Sequence, residues 1–375
     1  MRNDWKIKGF EDCLQKVKKQ KAVKSKCYLD NGLYPIVSQE SDLISGYTNE
    51  EKILYKHEKP VIIFGDHTKN IKYVDFDFVV GADGVHILYV NDDILPKFFY
   101  YELCSIQLRN LGYARHYKLL KEKEIGYPNL SEQERIVSLL DTQFAKIDAL
   151  KANAAYQLQA AKDLFQAALK QLLTPKEGWD EKTLGSICIS IKDGDWIEKK
   201  DQSPTGIRLL QTGNIGVGIY KDKSDSPHYI SLDTFNRLHC EEVFAGDILL
   251  SRLPEPVGRA CLVPKMEGRF ITAVDCSIIK VHTEKVTPEY LIYYTQTNAY
   301  FKSISSLCTG TTRQRISRKK LEEVSISFPS LPEQERIAAR LDEISEKVKA
   351  LQSNYDQTIT LCNDLKQALL KSIFG

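Results

Sequence analysis

Histidine and cysteine are the residues of this chain that could bind a metal or carry redox chemistry. The seven histidines include no H-E-x-x-H or other spacing typical of metal ligands. The nine cysteines are scattered from Cys13 to Cys362 and include no C-x-x-C pair of the kind that binds zinc or exchanges disulfides. The sequence therefore predicts no metal site, and it predicts that the cysteines act as small buried hydrophobic residues.

Nucleotide-binding and catalytic motifs are absent from the sequence as well. The glycine-rich segment at residues 213–218 lacks the full G-x-G-x-x-G spacing and the lysine of a P-loop, so we interpret it as a strand followed by a turn. The chain has no N-P-P-Y/F or D-P-P-Y/F tetrapeptide of the adenine methyltransferase type, and no convincing P-D…E-x-K nuclease cluster. We predict a chain with no catalytic residues and no cofactor of its own.

Polar and basic side chains in turn-rich segments remain, and their types suit the reading of DNA bases. Arg can donate two hydrogen bonds to guanine, and Asn or Gln can bond adenine, each pair discriminating by ~1 to 3 kcal/mol. Neighbouring hydroxyl groups can contact phosphates. For any single side chain, a surface salt bridge or a loop-stabilising hydrogen bond is about as good an explanation. The candidate DNA-contacting residues are His67, Lys69, Lys72, Arg115, His116, Lys118, Arg208, Gln211, Thr212, Asn214, Arg252, Arg259, Thr311, Thr312, Arg313, Gln314 and Arg315.

The net charge of +2 argues neither for nor against a nucleic-acid partner, but local charge is more informative. Six lysines and no acid lie between Cys13 and Leu29, and six basic residues and no acid lie between Phe301 and Lys320. Such segments can neutralise backbone phosphates, although a solvated surface explains each one, taken singly, as well. Since no uncharged apolar stretch approaches ~20 residues, we expect a soluble, cytoplasmic protein without membrane contact.

The chain contains an internal repeat. Residues 128–173 align without a gap with residues 329–374, with 19 of 46 positions identical, and both copies begin P-x-L-x-E-Q-E-R-I. Weaker upstream matches keep the same order and pair Phe78 with Phe270, Asp83 with Asp275, Pro96 with Pro288 and Arg115 with Arg313. The repeat predicts a domain at 1–127, a long helix and linker at 128–178, a second domain at 179–327 and a second long helix at 328–375.

Each repeated segment has the pattern of one long helix. Asn129-x-x-Glu132 and Ser330-x-x-Glu333 are N-cap signatures in which we expect the glutamate to bond back to a free N–H group. Apolar residues then recur at heptad spacing. Because a helix of some 43 residues is not stable alone, we expect the two to form an antiparallel coiled coil. The predicted seam comprises Ile136, Leu140, Ile147, Leu150, Ala154, Ala161, Leu164 and Ala168 in one helix and Ile337, Leu341, Ile344, Val348, Leu351, Tyr355, Cys362, Leu365 and Leu369 in the other.

Outside the helices, short apolar runs separated by Gly, Asp and Pro predict strands, and helices are predicted after Pro96 and Pro288. The runs are YPIVS, PVIIF, DFVVG, VHILYV, IRLLQTG, GDILLS, ACLVP and CSIIKV. We therefore predict an α+β fold, with two globular domains related by a pseudo-twofold axis and joined by the two antiparallel helices.

Three segments of the second half carry a family resemblance: IRLLQTGNIG, GDILLSR and GTTRQRISRKKLEEVSISFPSLPEQERIA. A degenerate counterpart of the third, YARHYKLLKEKEIGYPNLSEQERIV, lies in the first half. With these motifs the chain resembles, over essentially its whole length, the specificity subunits of type I restriction-modification systems. The first domain departs from the pattern, because YPIVSQE and VIIFGDHT stand in place of the first two motifs.

The resemblance implies two target recognition domains that each read one half of an asymmetric double-stranded DNA site, with the helices fixing the unread spacer. It also implies two modification (methyltransferase) subunits that carry S-adenosylmethionine and, through that assembly, restriction subunits that use ATP and Mg²⁺. Two other functions stay open from the residues alone. One is a single-chain DNA methyltransferase or nuclease, and the other is a coiled-coil scaffold without DNA binding.

Overall fold

The computed structural model describes residues 4–82, 84–109, 112, 114–310 and 314–375. It divides into two compact units. Unit 1 comprises Met1–Ala155 and Tyr355–Gly375, and unit 2 comprises Tyr156–Asn354. Each unit contains sheets and helices, so the predicted α+β class is confirmed.

Apart from the long helices, unit 1 consists of short elements. The helices are α1 (Pro96–Ser105) and α2 (Tyr117–Lys121). The strands are β1 (Lys6–Gly9), β2 (Leu14–Gln15), β3 (Tyr34–Val37), β4 (Gly46–Thr48), β5 (Leu54–Tyr55), β6 (Val61–Gly65), β7 (Ile71–Val74), β8 (Phe78–Val80), β9 (Val85–Val90) and β10 (Glu124–Tyr127).

The long helix α3 (Leu130–Leu173) follows, and unit 2 again has short elements before the final helix α9 (Leu331–Phe374). The short helices are α4 (Leu184–Ile187), α5 (Leu232–Leu238), α6 (Pro288–Tyr294), α7 (Asn298–Leu307) and α8 (Arg318–Glu322). The strands are β11 (Asp180–Thr183), β12 (Cys188–Asp193), β13 (Gln202–Ser203), β14 (Ile207–Leu210), β15 (His228–Ile230), β16 (Glu242–Val243), β17 (Ile248–Ser251), β18 (Ala260–Leu262), β19 (Phe270–Thr272), β20 (Cys276–Val281) and β21 (Ser325–Phe328).

The described strands of the two units repeat one topology. In unit 1 the strand orders are β2-β9-β6-β7 and β4-β3-β8-β5, with β1 paired to β10. In unit 2 they are β12-β20-β17-β18 and β13-β15-β14-β19-β16, with β11 paired to β21. The parallel pair is β3 with β8 in unit 1 and β14 with β19 in unit 2. The internal repeat is therefore confirmed beyond the segments whose sequences match, with β13 as an addition in unit 2.

Apolar runs form the central strands, as predicted. All residues of β6 and of β17 are buried, which is typical of strands covered on both faces. Each of the predicted runs contains a strand, and helices begin at Pro96 and Pro288. Proline suits the first helical position because its missing N–H would have no partner there. In α6 the side chain of Thr287 also accepts the N–H of Tyr290.

The N-cap prediction for the long helices is correct in part. The side chain of Asn129 accepts the N–H of Glu132 at 3.0 Å, as expected of a cap. The glutamates, however, pair with arginines instead of bonding back to the cap, with Glu132 bound to Arg135 and Glu333 to Arg336. Each arginine lies one turn along the helix and offers two N–H donors to the carboxylate, a strong bidentate arrangement.

In unit 1 the first part of α3 packs antiparallel against the last part of α9. Lys366 contacts Asp148 at 2.6 Å and Lys151 contacts Asn363 at 3.1 Å, so residue numbers rise along one helix as they fall along the other. Both helices enter the core of the unit, and the buried residues that they contribute are Ile136, Leu140, Leu370 and Phe374. The antiparallel pairing is confirmed here.

In unit 2 the last part of α3 and the first part of α9 share one core. Leu173 of α3 and Leu341 of α9 are buried in it together with Tyr290 of α6. The hydroxyl group of Tyr293 donates a hydrogen bond to Asp342 of α9 at 2.5 Å. Tyr293 also contacts the ring of Phe165 in α3, so aromatic residues of α6 fix this globular part to both long helices. Aromatic residues of α1 do the same in unit 1 through the contacts of Tyr101 with Asp141 and of Phe98 with Phe374.

Three predicted seam positions are wrong. Leu150, Leu164 and Leu365 have exposed fractions of 57%, 63% and 48%. The buried stripe of α3 runs through Ile147 and Leu158. The step after Ile147 is four residues and not three, so partly buried Lys151 takes the inward position that was expected for Leu150. Apolar residue type alone did not reveal this choice between two neighbouring heptad phases.

Candidate nucleic-acid interface

The candidate site of unit 2 begins where the parallel strands β14 and β19 end side by side. The chain leaves β14 in a tight turn at Thr212–Asn214. The amide of Asn214 is committed to this turn, since its oxygen accepts the N–H of Gln211 at 2.9 Å and its nitrogen donates to the carbonyl of Lys221 at 3.0 Å. Gln211 in turn accepts the N–H of Asn214. These two predicted DNA-contacting side chains shape the turn.

Arg259 is buried beneath this turn and joins it to the loop after β17. Its guanidinium donates to four main-chain carbonyls, those of Ile215, Leu253, Pro256 and Thr212, at 2.7 to 3.0 Å. Burial lowers the pKa of Arg259, but the carbonyl dipoles satisfy its donors. The side chain is 7% exposed, so its geometry suits a loop support better than a base contact.

Arg252 and Arg208 are also engaged within the protein. Arg252 is buried, donates to the carbonyl of Val274 and lies 3.5 Å from the Asp193 carboxylate. Its own carbonyl accepts the N–H of Ile316 at 3.3 Å, which brings the basic segment before α8 next to the loop after β17. Arg208 forms a 2.6 Å ion pair with exposed Asp222. Exposure at Asp222 leaves this pair able to exchange for a phosphate.

The basic segment before α8 is accessible where the structure describes it. Thr309 and Arg315 exchange main-chain hydrogen bonds of 2.9 Å in both directions and so form an antiparallel bridge. Arg315 pairs with Asp275 at 2.9 Å and keeps about half of its side-chain surface exposed, and Gln314 is exposed. Thr311, Thr312 and Arg313 lie outside the described residues.

In unit 1 the corresponding position is organised around the buried carboxylate of Asp66. Its oxygens accept the N–H of Tyr117 at 2.8 Å and lie 3.3 Å from Nε2 of His86. Burial raises the pKa of Asp66, but the Tyr117 amide and His86 outweigh burial and hold this pKa below its ordinary value. Arg115 is 3.9 Å away with an 81% exposed side chain, whereas His116 is buried against the carbonyl of Asp66.

The remaining candidates of unit 1 differ in how far they are exposed. Lys72 is buried, donates to the carbonyl of Asp42 and has a pKa lowered by burial, which fits a structural contact. His67 and Lys69 are partly buried in the turn after β6, where Lys69 adopts φ of 61°. Lys118 is exposed on α2. The structure thus brings His67, Arg115 and His116 together around Asp66. It buries Lys72 away from this group.

Main-chain hydrogen bonds correct the alignment of the two basic segments. The N–H of His116 bonds the carbonyl of Asp66, just as the N–H of Ile316 bonds that of Arg252. The residues immediately before them, Arg115 and Arg315, therefore occupy equivalent positions. The sequence comparison paired Arg115 with Arg313 because the loops differ in length by two residues and glycines were aligned instead.

Comparison with known proteins places this architecture in a family. The model of the family described as type I restriction modification DNA specificity domain matches residues 2–159 and again residues 176–361. The chain belongs to this family. The two matched segments contain the two sets of sheets described above, so the family domain occurs once in each half of the chain.

Relatives of this specificity protein are found in bacteria and archaea. The EcoR124I/EcoR124II specificity subunit of Escherichia coli is 27% identical over 90% of this chain and 86% of its own length. The MjaVIII specificity subunit of Methanocaldococcus jannaschii is 20% identical over 94% and 89%. The EcoKI specificity subunit of Escherichia coli is 24% identical over 67% of this chain and 56% of its own length.

Solved structures share the fold of this specificity protein. A chain from a structure of type I restriction-modification complex assembly has a TM-score of 0.74 at 20% identity, with 99% of this chain and 98% of that chain covered. The HsdS subunit of Thermoanaerobacter tengcongensis has a TM-score of 0.53 at 19% identity, with 99% and 97% covered. The α+β fold with paired long helices is therefore the fold of the family.

Sequence reasoning missed two residues of the specificity protein that the geometry makes prominent. His86 lies on β9 and contacts Asp66, but a single histidine in an apolar strand gave no signal of this. Trp196 has a 70% exposed side chain in the segment after β12, where Asp195 bridges to Ala273 at the end of β19. Its position beside Gly194 and Asp195, in a turn-rich stretch, was a usable signal.

Two negative findings apply to the described part of the chain. Residues 4–82, 84–109, 112, 114–310 and 314–375 contain no group of three or more His, Cys, Asp or Glu side chains placed to hold a metal ion. Within the same ranges, none of the helices combines the length and the apolar character needed to cross a membrane.

Proposed function

We propose that this chain is the subunit that reads DNA sequence in a type I restriction-modification complex, with one half of a split, asymmetric site read by each recognition domain. The proposed domains are residues 1–127 and 179–327, and the helical segments 128–178 and 328–375 fix the length of the unread spacer. Family membership removes the alternative of a single-chain methyltransferase or nuclease, since the matched relatives are specificity subunits.

One observation carries this proposal: the two units have the same strand order but different side chains at equivalent positions of the loops. Arg252 of unit 2 corresponds to Asp66 of unit 1, since each residue directly follows the equivalent strand, β17 or β6. Two readers of one topology with different polar surfaces suit two different half-sites. A scaffold without DNA binding would have no reason to keep two diverged sets of basic loops.

Within the proposed interface, the accessible residues are the best candidates for base or phosphate contacts. In unit 2 these are Gln314 and Arg315, and in unit 1 they are Arg115 and Lys118. Buried Arg259, Arg252, Lys72, His116 and Asn214 are instead proposed to hold the loops in place. Arg115 and Arg315 are equivalent, so each half-site receives one arginine from the same position of its domain.

The partners proposed for the chain are double-stranded DNA, two modification subunits and, through them, restriction subunits. S-adenosylmethionine, ATP and Mg²⁺ are assigned to those partner subunits, and the complex is placed in the cytoplasm, where its DNA substrate lies. The helix pair of unit 1 supports a protein partner. Leu150, Leu361 and Leu365 are 57%, 66% and 48% exposed on it, and antiparallel register places Leu150 beside the other two.

Exchange of one recognition domain tests the proposed function. Residues 179–327 are replaced by the same region of a related specificity subunit, and methylated positions are mapped in DNA modified by the reconstituted complex. We expect one half of the methylated motif to change while the other half and the spacer stay the same. A change in both halves, or methylation that no longer depends on sequence, would contradict two independent readers.

A further inference from the structure

The two units differ at the edge of one strand. In unit 2, β12 pairs with β20 as far as Asp193 opposite Ser277, and the N–H of Gly194 bonds the carbonyl of Cys276. In unit 1 the equivalent strand β2 pairs with β9 only at Leu14 and Gln15. The chain then leaves the sheet, so the edge of β9 from Val85 to Ile87 has no neighbouring strand among the described residues.

The main-chain groups of Val85 and Ile87 point to this open edge. Neighbouring residues of an antiparallel strand direct their N–H and C=O groups to opposite sides. The carbonyl of Gly84 accepts the N–H of Asp66 at 2.7 Å on the β6 side, so the groups of Val85 and Ile87 face the other side. Their equivalents in unit 2, Cys276 and Ile278, lie on the side covered by β12.

A cavity of about 550 Å³ lies between this edge and the segment at residues 15–20. Its volume is in the range of small-ligand sites. Lys16, Lys18 and Lys19 line it together with His86 and Tyr117. The three lysine side chains form no salt bridge with a described carboxylate, and Glu11 is the acidic residue of the lining. The cavity therefore carries positive charge.

One side of the cavity is a rigid ring pair. The imidazole of His86 stacks on the ring of Tyr117 with centroids 3.8 Å apart and an interplanar angle of 6°. Asp66 holds both residues, since it contacts Nε2 of His86 and accepts the N–H of Tyr117. The wall is therefore fixed before any ligand arrives, which lowers the entropic cost of binding.

We infer that this cavity binds a phosphate group, with Lys16, Lys18 and Lys19 supplying charge and the free N–H groups of β9 supplying hydrogen bonds. The inference rests on the proposed function and assigns a backbone phosphate of the unit 1 half-site as the ligand. Backbone N–H groups and lysines are common donors to DNA phosphates. In the described part of unit 2, β12 covers the edge of β20 that corresponds to this open edge of β9.

An acidic peptide that adds a strand to β9 is the competing occupant. The charge favours phosphate, since three lysines project from one short segment and a strand needs mainly main-chain partners. The position favours DNA as well. Tyr117 lines the cavity and follows Arg115 and His116 directly, so the cavity adjoins the basic segment proposed to face the half-site.

The test compares two triple variants of the full chain, assembled with its modification subunits on a duplex that carries the target. The first is Lys16→Gln, Lys18→Gln, Lys19→Gln. The matched control is Lys21→Gln, Lys24→Gln, Lys26→Gln, which removes the same charge from exposed lysines that do not line the cavity. Affinity is measured over a range of salt concentrations, and phosphate contacts are mapped by ethylation interference.

We expect the first variant to reduce the slope of log affinity against log salt by about 1, since one neutralised phosphate contributes about 0.9. Interference should disappear at a phosphate of the unit 1 half-site and persist throughout the other half-site. The control variant should change the slope less and keep every interference position. A parallel experiment without DNA measures thermal unfolding of the chain in inorganic phosphate. Stabilisation of the wild-type chain but not of the first variant would support the same site with a free anion as its ligand.

Two outcomes overturn the inference while leaving the proposed function intact. One is an equal effect of both triple variants on the salt slope, without loss of any single interference position and without stabilisation by inorganic phosphate. The other is weakened assembly of the first variant with its modification subunits while DNA contacts stay unchanged, which would assign the cavity to a peptide. Failure of the wild-type complex to bind any specific sequence would instead contradict the proposed function itself.

Discussion

The side-chain oxygen of Gln334 accepts the main-chain N–H of Thr287 at 2.9 Å, just before α6 begins. The amide nitrogen of the same side chain donates to the carbonyls of Lys285 and Pro329 at 2.9 and 2.8 Å. In unit 1, Gln133 makes the same three types of contact, with Leu95 as the residue whose N–H it accepts. The glutamine of the repeated E-Q-E-R motif thus fixes the start of each long helix to its globular part.

Substitution Gln334→Leu is expected to destabilise the protein by about 1 to 3 kcal/mol, because it leaves buried main-chain groups without partners. The neighbouring substitution Glu335→Gln, at an exposed position, should have little effect. Thermal unfolding of the full chain measures both. Equal melting temperatures for the two variants would show that the three hydrogen bonds contribute no net stability.

Arg259 and Arg269 form a second matched pair. Arg259→Met removes donors from four main-chain carbonyls and is expected to cost about 3 kcal/mol or more. Arg269→Met removes a surface pair with Glu242 and should cost less than about 1 kcal/mol. Denaturant unfolding separates the two. If Arg259→Met lowered DNA affinity but not stability, Arg259 would be a DNA contact and not a loop support.

Trp196 provides a spectroscopic test of the unit 2 interface. Its exposed ring beside the ends of β14 and β19 can pack against a sugar or base of bound DNA. We expect Trp196→Ala to weaken binding of the complex about fivefold or more, which is ~1 kcal/mol. With tryptophans of the partner subunits replaced, DNA should quench wild-type fluorescence but not that of Trp196→Phe. The control Ile189→Ala, also at an exposed position, should bind normally. Unchanged affinity of Trp196→Ala, together with quenching that persists in Trp196→Phe, would place DNA elsewhere.

The sequence alone predicted elements whose formation depends on local pattern. Apolar runs such as PVIIF and CSIIKV form central strands of their sheets. Pro96 and Pro288 start helices because proline suits the first position of a helix. The repeat predicted that both halves share one fold, but it did not predict the strand order. These features depend on hydrophobicity and backbone geometry, which can be read from a few neighbouring residues.

Side-chain roles were less predictable, because they depend on residues far apart in the sequence. Arg259 and Arg315 look alike as basic loop residues, yet Arg259 is surrounded by carbonyls from two segments and Arg315 reaches solvent beside Asp275. His86 acquires a partner, Asp66, from a neighbouring strand end. Leu150 is exposed because the buried stripe of α3 advances by four residues after Ile147 and not by three. Each outcome depends on tertiary packing.

The prediction of small buried cysteines is wrong for exposed Cys27 and is confirmed for Cys13, Cys188, Cys240, Cys261, Cys276 and Cys362. Cysteine reactivity tests this difference. Burial raises the pKa of Cys261 to about 12 and of Cys276 to about 11, so both stay protonated at pH 8. Cys27 is exposed. Iodoacetamide should therefore label Cys27 first in the native chain, and Cys27→Ser should abolish the early labelling. Rapid labelling of Cys261 without unfolding would contradict its burial.

The same thiols predict a dependence of stability on alkaline pH. In the unfolded chain a thiol ionises near its ordinary pKa of about 8.5. Because the folded pKa of Cys276 is about 11, its contribution to stability is complete below about pH 8.5 and is lost as the pH rises toward 11. Denaturant unfolding at pH 8 and pH 10 measures the loss. Cys276→Ala should reduce the difference between the two values, and an unchanged difference would contradict the assignment.

The paired helices predict how the spacer responds to a change in length. Four residues are inserted after Ala155 in α3 and four before Ile359 in α9, positions that face each other in the register that pairs Lys151 with Asn363. At 1.5 Å per residue the insertion adds about 6 Å to each helix, close to two base pairs of about 3.4 Å. We expect the preferred spacer to lengthen by about two base pairs with both half-sites unchanged.

Insertion into one helix only serves as the control, because it breaks the match between the helices and should weaken binding to every spacer. Methylation of a set of targets with different spacers measures the preference, and an unaltered spacer in the double insertion would rule out the helices as the element that sets it.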